Sequence, residues 1–74
     1  MLTDLLTLSG RDGATLHLLA STTLPDGIEA EGFIADVPLR AGRVFTAPDG
    51  QRYRLVAGIR PGVRWDATVT LTQR

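Results

Sequence analysis

The chain has no cysteine and a single histidine, and these two scarcities remove most site chemistry at once. Without thiols there is no disulfide to staple the fold and no thiolate to hold zinc, and one imidazole is too few for a histidine-based metal site. No metal or other cofactor is expected. Lysine is also missing, since all eight basic residues are arginine, a usage that a GC-rich coding genome produces by itself. Apolar runs extend over only a few residues, far below the roughly 20 needed to cross a bilayer. The first residues lack the basic start and long apolar stretch of a secretory signal. The expectation is a protein made in a cytoplasm and without membrane contact.

What is present suits one small folded domain over residues 1–74. At 43% apolar and 22% charged residues, the composition is that of a globular chain rather than a disordered one. A domain of this size buries only about 60–65% of its unfolded surface, so its stability margin is thin. With disulfides and metal excluded, oligomerisation is the expected source of further burial.

Net charge is zero but unevenly spread. Residues 1–39 carry Arg11 against Asp4, Asp12, Asp26, Glu29, Glu31 and Asp36, a net −5. Residues 40–64 carry Arg40, Arg43, Arg52, Arg54, Arg60 and Arg64 against Asp49, a net +5. Such a chain can neutralise itself by folding its halves together, or can pair head to tail with copies of itself.

Local patterns point to strands. The apolar positions of Leu2–Leu8 fit neither the helical nor the extended period, leaving a short helix or a first strand open. Ser9-Gly10-Arg11-Asp12-Gly13 is a turn cluster. After it Ala14, Leu16, Leu18 and Ala20 alternate with Thr15, His17 and Leu19, the period of a half-buried strand with His17 and Leu19 outward. Pro25-Asp26-Gly27 predicts a turn in which glycine supplies positive φ. A second strand region runs from Ile28 to Val37, its alternation slipping near Gly32, where a bulge or sharp bend is expected. The clearest signal is a hairpin from Arg43 to Gly58 around Pro48-Asp49-Gly50. It makes Phe45 and Tyr53 cross-strand neighbours, turns Tyr53, Leu55 and Ala57 to one face, and turns Arg52, Arg54 and Val56 to the other. A Pro61-Gly62 connector then leads to a last strand with Trp65, Ala67, Val69 and Leu71 facing inward. The sum is a mainly all-β domain, a small antiparallel SH3-like β-barrel or strongly bent sheet, with a short N-terminal helix left open.

Catalytic constellations are hard to assemble from these residues. His17 is the only imidazole that could serve as a general base, and Ser9 and Ser21 come without an oxyanion or nucleophile-elbow motif. Glu29 and Glu31 share a strand face, as paired acid/base carboxylates would, but solvated outer-face glutamates account for them. Gly10-Arg11-Asp12-Gly13 lacks the lysine and helix start of a phosphate loop. The expectation is a protein that is not an enzyme. The arginines carry the functional signal instead. Arg52 and Arg54 lie on one hairpin face, with Arg43 on the adjacent strand and Arg60 and Arg64 flanking the Pro-Gly connector. The stripe fits either an acidic protein surface or a phosphate backbone. Phe45, Tyr53 and Trp65 are expected in the core, and so unavailable for stacking on bases.

From about Ala35 onward the chain resembles the end of the lambda-type group of small tailed-phage head-tail joining and head-completion proteins. The resemblance is carried by Asp36-Val37-Pro38, Gly42, the Asp49-Gly50 turn, Tyr53-Arg54-Leu55-Val56, Gly58-Ile59-Arg60-Pro61 and a closing strand that ends in a basic residue. The chain departs from that pattern in being short. The resemblance implies a virion β-barrel subunit, assembled in the host cytoplasm. It would form a ring with copies of itself and contact portal, capsid or tail proteins, with non-specific contact to the DNA backbone. The expected contact residues are Arg43, Arg52, Arg54, Arg60 and Arg64 on one side and Glu29, Glu31 and Asp36 on the other. The other reading is a small nucleic-acid-binding barrel using the arginine-bearing hairpin.

Overall fold

The computed structural model describes residues 5–74. Among them the regular structure is entirely β: β1 (Leu5–Gly10), β2 (Thr15–Leu19), β3 (Thr22–Leu24), β4 (Gly27–Ala30), β5 (Gly32–Ala35), β6 (Val44–Thr46), β7 (Arg52–Leu55), β8 (Gly62–Arg64) and β9 (Val69–Gln73). All pairings are antiparallel. The open choice for the N-terminal segment resolves to strand from Leu5; Leu2 lies outside the described residues.

The organising element is one long hairpin. Leu19 stands opposite Gly32 and Thr22 opposite Glu29, so the same register runs unbroken from β2–β5 into β3–β4. Both strands of the hairpin bend midway, one at Ala20, whose φ is +51°, and the other at Glu31. The near half pairs with β1 and the far half with β9. Continuing round, β9 pairs with β7, β7 with β6, and β6 with β1. The circuit closes into a small antiparallel barrel, which removes most strand edges.

Alternation fills the interior. Leu8 from β1, Leu16 and Leu18 from β2, Ile28 from β4, Phe45 from β6, Leu55 from β7 and Leu71 from β9 are all essentially inaccessible to solvent. Phe45 faces Tyr53 in register, as the hairpin pattern predicts. Leu39 and Ile59 close one end of the core from outside the named strands, joined by reciprocal backbone hydrogen bonds of 2.9 and 2.7 Å. Among the described residues no polar side chain is buried.

Four expectations are corrected. Gly27 does not supply a positive φ: Pro25-Asp26 alone forms the turn and Gly27 already pairs with Leu24 and Thr72. Its role is close approach, because a Cβ there would run into the Leu71 carbonyl. Leu19 points outward as expected yet is buried, since the chain at Arg64–Trp65 folds over Gly32 beside it. Ala57 is exposed because β7 ends at Leu55. Trp65 is not a core residue but is 70% exposed.

The cause of this last correction is a bulge. Phe33 pairs with Arg64 and Ala30 with Val69, so residues 65–68 lie opposite only residues 31–32. The excess is pushed out of the ladder and carries Trp65 with it. Gly32 permits the crossing, since a Cβ there would strike the Arg64 carbonyl. The slip near Gly32 therefore marks the bend at Glu31 on its own strand, while the bulge lies opposite it on the neighbouring one.

Candidate functional site: an arginine face and an acidic ridge

The outer face of β1–β6–β7 carries several of the chain's arginines. Because Leu8, Phe45 and Tyr53 point inward, their neighbours Ser9, Thr46 and Arg52 point out. Ser9 stands opposite Thr46 and Thr46 opposite Arg52. The Arg52 carbonyl accepts the Arg74 N–H at 3.1 Å, which extends the row by one more arginine. Val44, Arg54 and Thr72 form the next row. Arg11, Arg43, Arg52 and Arg74 line a groove of ≈ 530 Å³ that runs over the β1–β6 seam. Arg11 and Arg74 were not among the residues expected here. The signal for Arg74 was its register with Arg52, which becomes visible only once β7 is known to pair with β9.

Arg43 is held in place. Its guanidinium lies 5.5 Å from the Phe45 ring centroid, in cation–π range, and forms an ion pair with Asp12. The Asp12 carboxylate also accepts the Ala14 N–H at 3.2 Å. That backbone hydrogen bond and, after it, the Arg43 charge hold the Asp12 carboxyl below its ordinary value. Arg11, Arg52, Arg54 and Arg74 make no ion pair among the described residues.

Four acidic residues are spread along the β4–β5 side of the long hairpin. Glu29 projects from β4, Glu31 marks the bend, Asp26 sits at the hairpin tip and Asp36 follows β5; all are exposed. None pairs with an arginine among the described residues. Strand β9 lies between the two charge sets, with Thr70 opposite Glu29 and Thr72 opposite both Gly27 and Arg54. One interposed strand sets β4 and β7 about 10 Å apart, close to a Debye length at physiological salt. Folding therefore joins the halves at Asp12–Arg43 but leaves these two charge sets near one another and unpaired among the described residues.

The five expected contact arginines divide into two groups. Arg52 and Arg54 share the face just described, and Arg43 lines the same groove as Arg52. Arg60 and Arg64 instead border a separate, mostly apolar groove of ≈ 390 Å³ whose wall includes Phe33, Val56 and Pro61. His17 lies half-buried on the outside of β2, with Nδ1 2.9 Å from Thr7 Oγ1. No group of three or more potential metal ligands converges among the described residues. A scan of protein-family models and searches of curated proteins and of solved structures return no match to this chain.

Proposed function

We propose that the protein is a non-enzymatic structural subunit of a phage-like virion, a head-tail connector or completion subunit or a neighbouring tail or capsid-decorating component, that works as a homo-oligomer. The observation that carries the assembly reading is the pair of opposed charge sets left unpaired by folding. Arg52 and Arg54 on β7 and Glu29, Glu31 and Asp36 along the long hairpin have no partners among the described residues. A head-to-tail ring requires one surface to complement a different surface on the next copy, and these two supply that complement. The virion context rests on the sequence resemblance.

Sedimentation velocity over a concentration series, at low and high salt, tests the assembly reading. A discrete oligomer that salt dissolves is the expected result, and Arg52→Ala with Arg54→Ala should abolish it. A monomer under every condition refutes autonomous ring formation.

A second reading, contact with a nucleic-acid backbone, is favoured by the Ser9–Thr46–Arg52–Arg74 row. Hydroxyls and guanidinium groups aligned along a groove are the chemistry that grips successive phosphates. On this reading the affinity for single- or double-stranded DNA falls steeply with salt, by a log–log slope of about 0.7–0.9 per phosphate neutralised. The same two alanine substitutions should flatten that slope.

A further inference from the structure

Strand β8 pairs with β5 on one side and ends the sheet. Its residues are all exposed, Val63 at 50%, and it runs directly into the expelled Trp65. An open strand edge beside an exposed tryptophan is a template for one more strand. The sequence around it indicates which strand fits.

We infer that β8 is a self-association edge, pairing antiparallel with β8 of a second copy about a two-fold axis through Val63. The segment Arg60-Pro61-Gly62-Val63-Arg64-Trp65-Asp66 is complementary to itself about that residue. In this register Val63 meets Val63 of the second copy, and Arg64 stands across from Gly62, the large side chain beside the residue that has none. Beyond these three paired residues, the two-fold brings the Trp65–Asp66 end of one copy towards the Arg60–Pro61 end of the other, an aromatic ring towards an apolar pyrrolidine. The same approach carries Asp66 towards the Arg60 of the second copy, so opposite charges meet twice. Within its own chain Asp66 lies 4.0 Å from Arg64 and its side chain is 89% exposed, leaving it free to bridge its own Arg64 and the Arg60 of the second copy. Moving the axis one residue, to Arg64, sets two arginines face to face and removes both Asp66–Arg60 pairs. The complement therefore selects the register as well as the partner, and an isologous contact needs such self-complementarity. Two extended partners of other sequence would gain the strand hydrogen bonds but not both charge pairs.

This inference goes beyond the charged-face assembly and does not depend on it. The two interfaces use different residues, and together they would join two rings back to back into a dihedral particle.

The chain has one tryptophan, so its fluorescence reports on this edge alone. Emission recorded across a concentration series, in parallel with sedimentation velocity at high salt, tests the inference. The expected result is a blue shift of Trp65 emission that tracks formation of a dimer at high salt, where an oligomer held by the charged faces has dissolved. Val63→Lys, which places a charge on an exposed edge, should abolish the shift while leaving the far-ultraviolet circular dichroism unchanged. Followed by Trp65 emission at low salt, where exposed pairs are not screened, Asp66→Arg and Arg60→Asp should each weaken the dimer about tenfold, an effect within reach of two exposed pairs turned repulsive. The double variant carrying both changes should restore it. A dimer whose Trp65 emission stays at the water-exposed wavelength overturns the inference, as does a protein monomeric at high salt at every concentration, or a double reversal that fails to rescue. An oligomer that forms only at low salt, with unchanged emission, refutes this edge and keeps the charged-face reading.

Discussion

Replacing Gly27 with alanine adds only one methyl group to the long hairpin, yet it should be among the most damaging small changes in the chain. The backbone at Gly27 is not in the left-handed region, so alanine meets no conformational penalty there, and the cost is purely steric. The new Cβ would collide with the Leu71 carbonyl and lie 3.1 Å from Thr72 Cα. These are backbone atoms of β9, which cannot turn aside as a flexible side chain would. Relief requires β4 to move off β9, and that pairing of Gly27, Ile28, Glu29 and Ala30 is one of the barrel's closures. Overpacking of this kind costs about 1–3 kcal/mol and occasionally more. In a domain of this size each kcal/mol lowers Tm by about 4–8 °C, so a loss of ~2 kcal/mol shifts the midpoint by about 8–16 °C. Gly58 provides the control, because its Cβ position meets only the Leu39 carbonyl at 3.5 Å, an ordinary contact, and its φ is not positive. Gly58→Ala should therefore stabilise by about 0.4–1 kcal/mol through the unfolded state. Urea denaturation followed by far-ultraviolet circular dichroism measures both. Equal effects at the two glycines, or a Gly27→Ala variant within about 0.5 kcal/mol of the parent, would refute the close approach of β4 and β9.

Trp65→Ala should leave stability within about 0.5 kcal/mol, as surface changes do, when measured at concentrations too low for association. Phe45→Ala, which empties a fully buried position, should cost about 3–5 kcal/mol, a large part of the ~4–11 kcal/mol expected for a chain of this length; a urea titration compares the two. The depressed Asp12 carboxyl contributes stability that is present above its unfolded pKa and fades as pH falls through the folded value. Because the Ala14 N–H is the larger cause and Arg43 the lesser, Arg43→Ala should move the Asp12 titration only part of the way back. A carboxyl-detected NMR titration that finds it fully restored would contradict that order.

The architecture was legible where a strand has one wet and one dry face. Leu16 and Leu18 alternate with Thr15 and His17, and Phe45 and Tyr53 flank a turn whose Gly50 has the positive φ, +90°, that the sequence demands. Legibility failed where long-range pairing decides. A bulge is a mismatch of lengths between two strands, so the expulsion of Trp65 is written in residues 65–68 counted against residues 31–32, not in either alone. Leu19 was assigned the correct face, but alternation cannot reveal that a neighbouring segment covers that face. Gly27 reads as a turn glycine in every local pattern, and only the position of Leu71 shows why a side chain is excluded. The charge site was partly visible for the same reason. Arg52 and Arg54 share a face by alternation, whereas Arg11 and Arg74 join them only through pairing, and Arg60 and Arg64 are carried away to the bulge side.

The barrel's circuit is not equally secure around its circumference. Strands β1 and β2 meet through five residue pairs, but β1 and β6 through only Ser9–Thr46 and Gly10–Phe45. Breathing should begin at this short seam, and amide hydrogens along β6 should exchange with solvent earlier than those of β2. The arginine groove straddles the same seam, with Ser9 and Arg11 on one bank and Arg43, Thr46 and Arg52 on the other, and the Asp12–Arg43 ion pair acts as a latch across it. An anionic partner seated there would grip both banks at once. Occupancy and closure then become one equilibrium, and a partner at a hundred times its Kd would tighten the whole domain by about 2.7 kcal/mol.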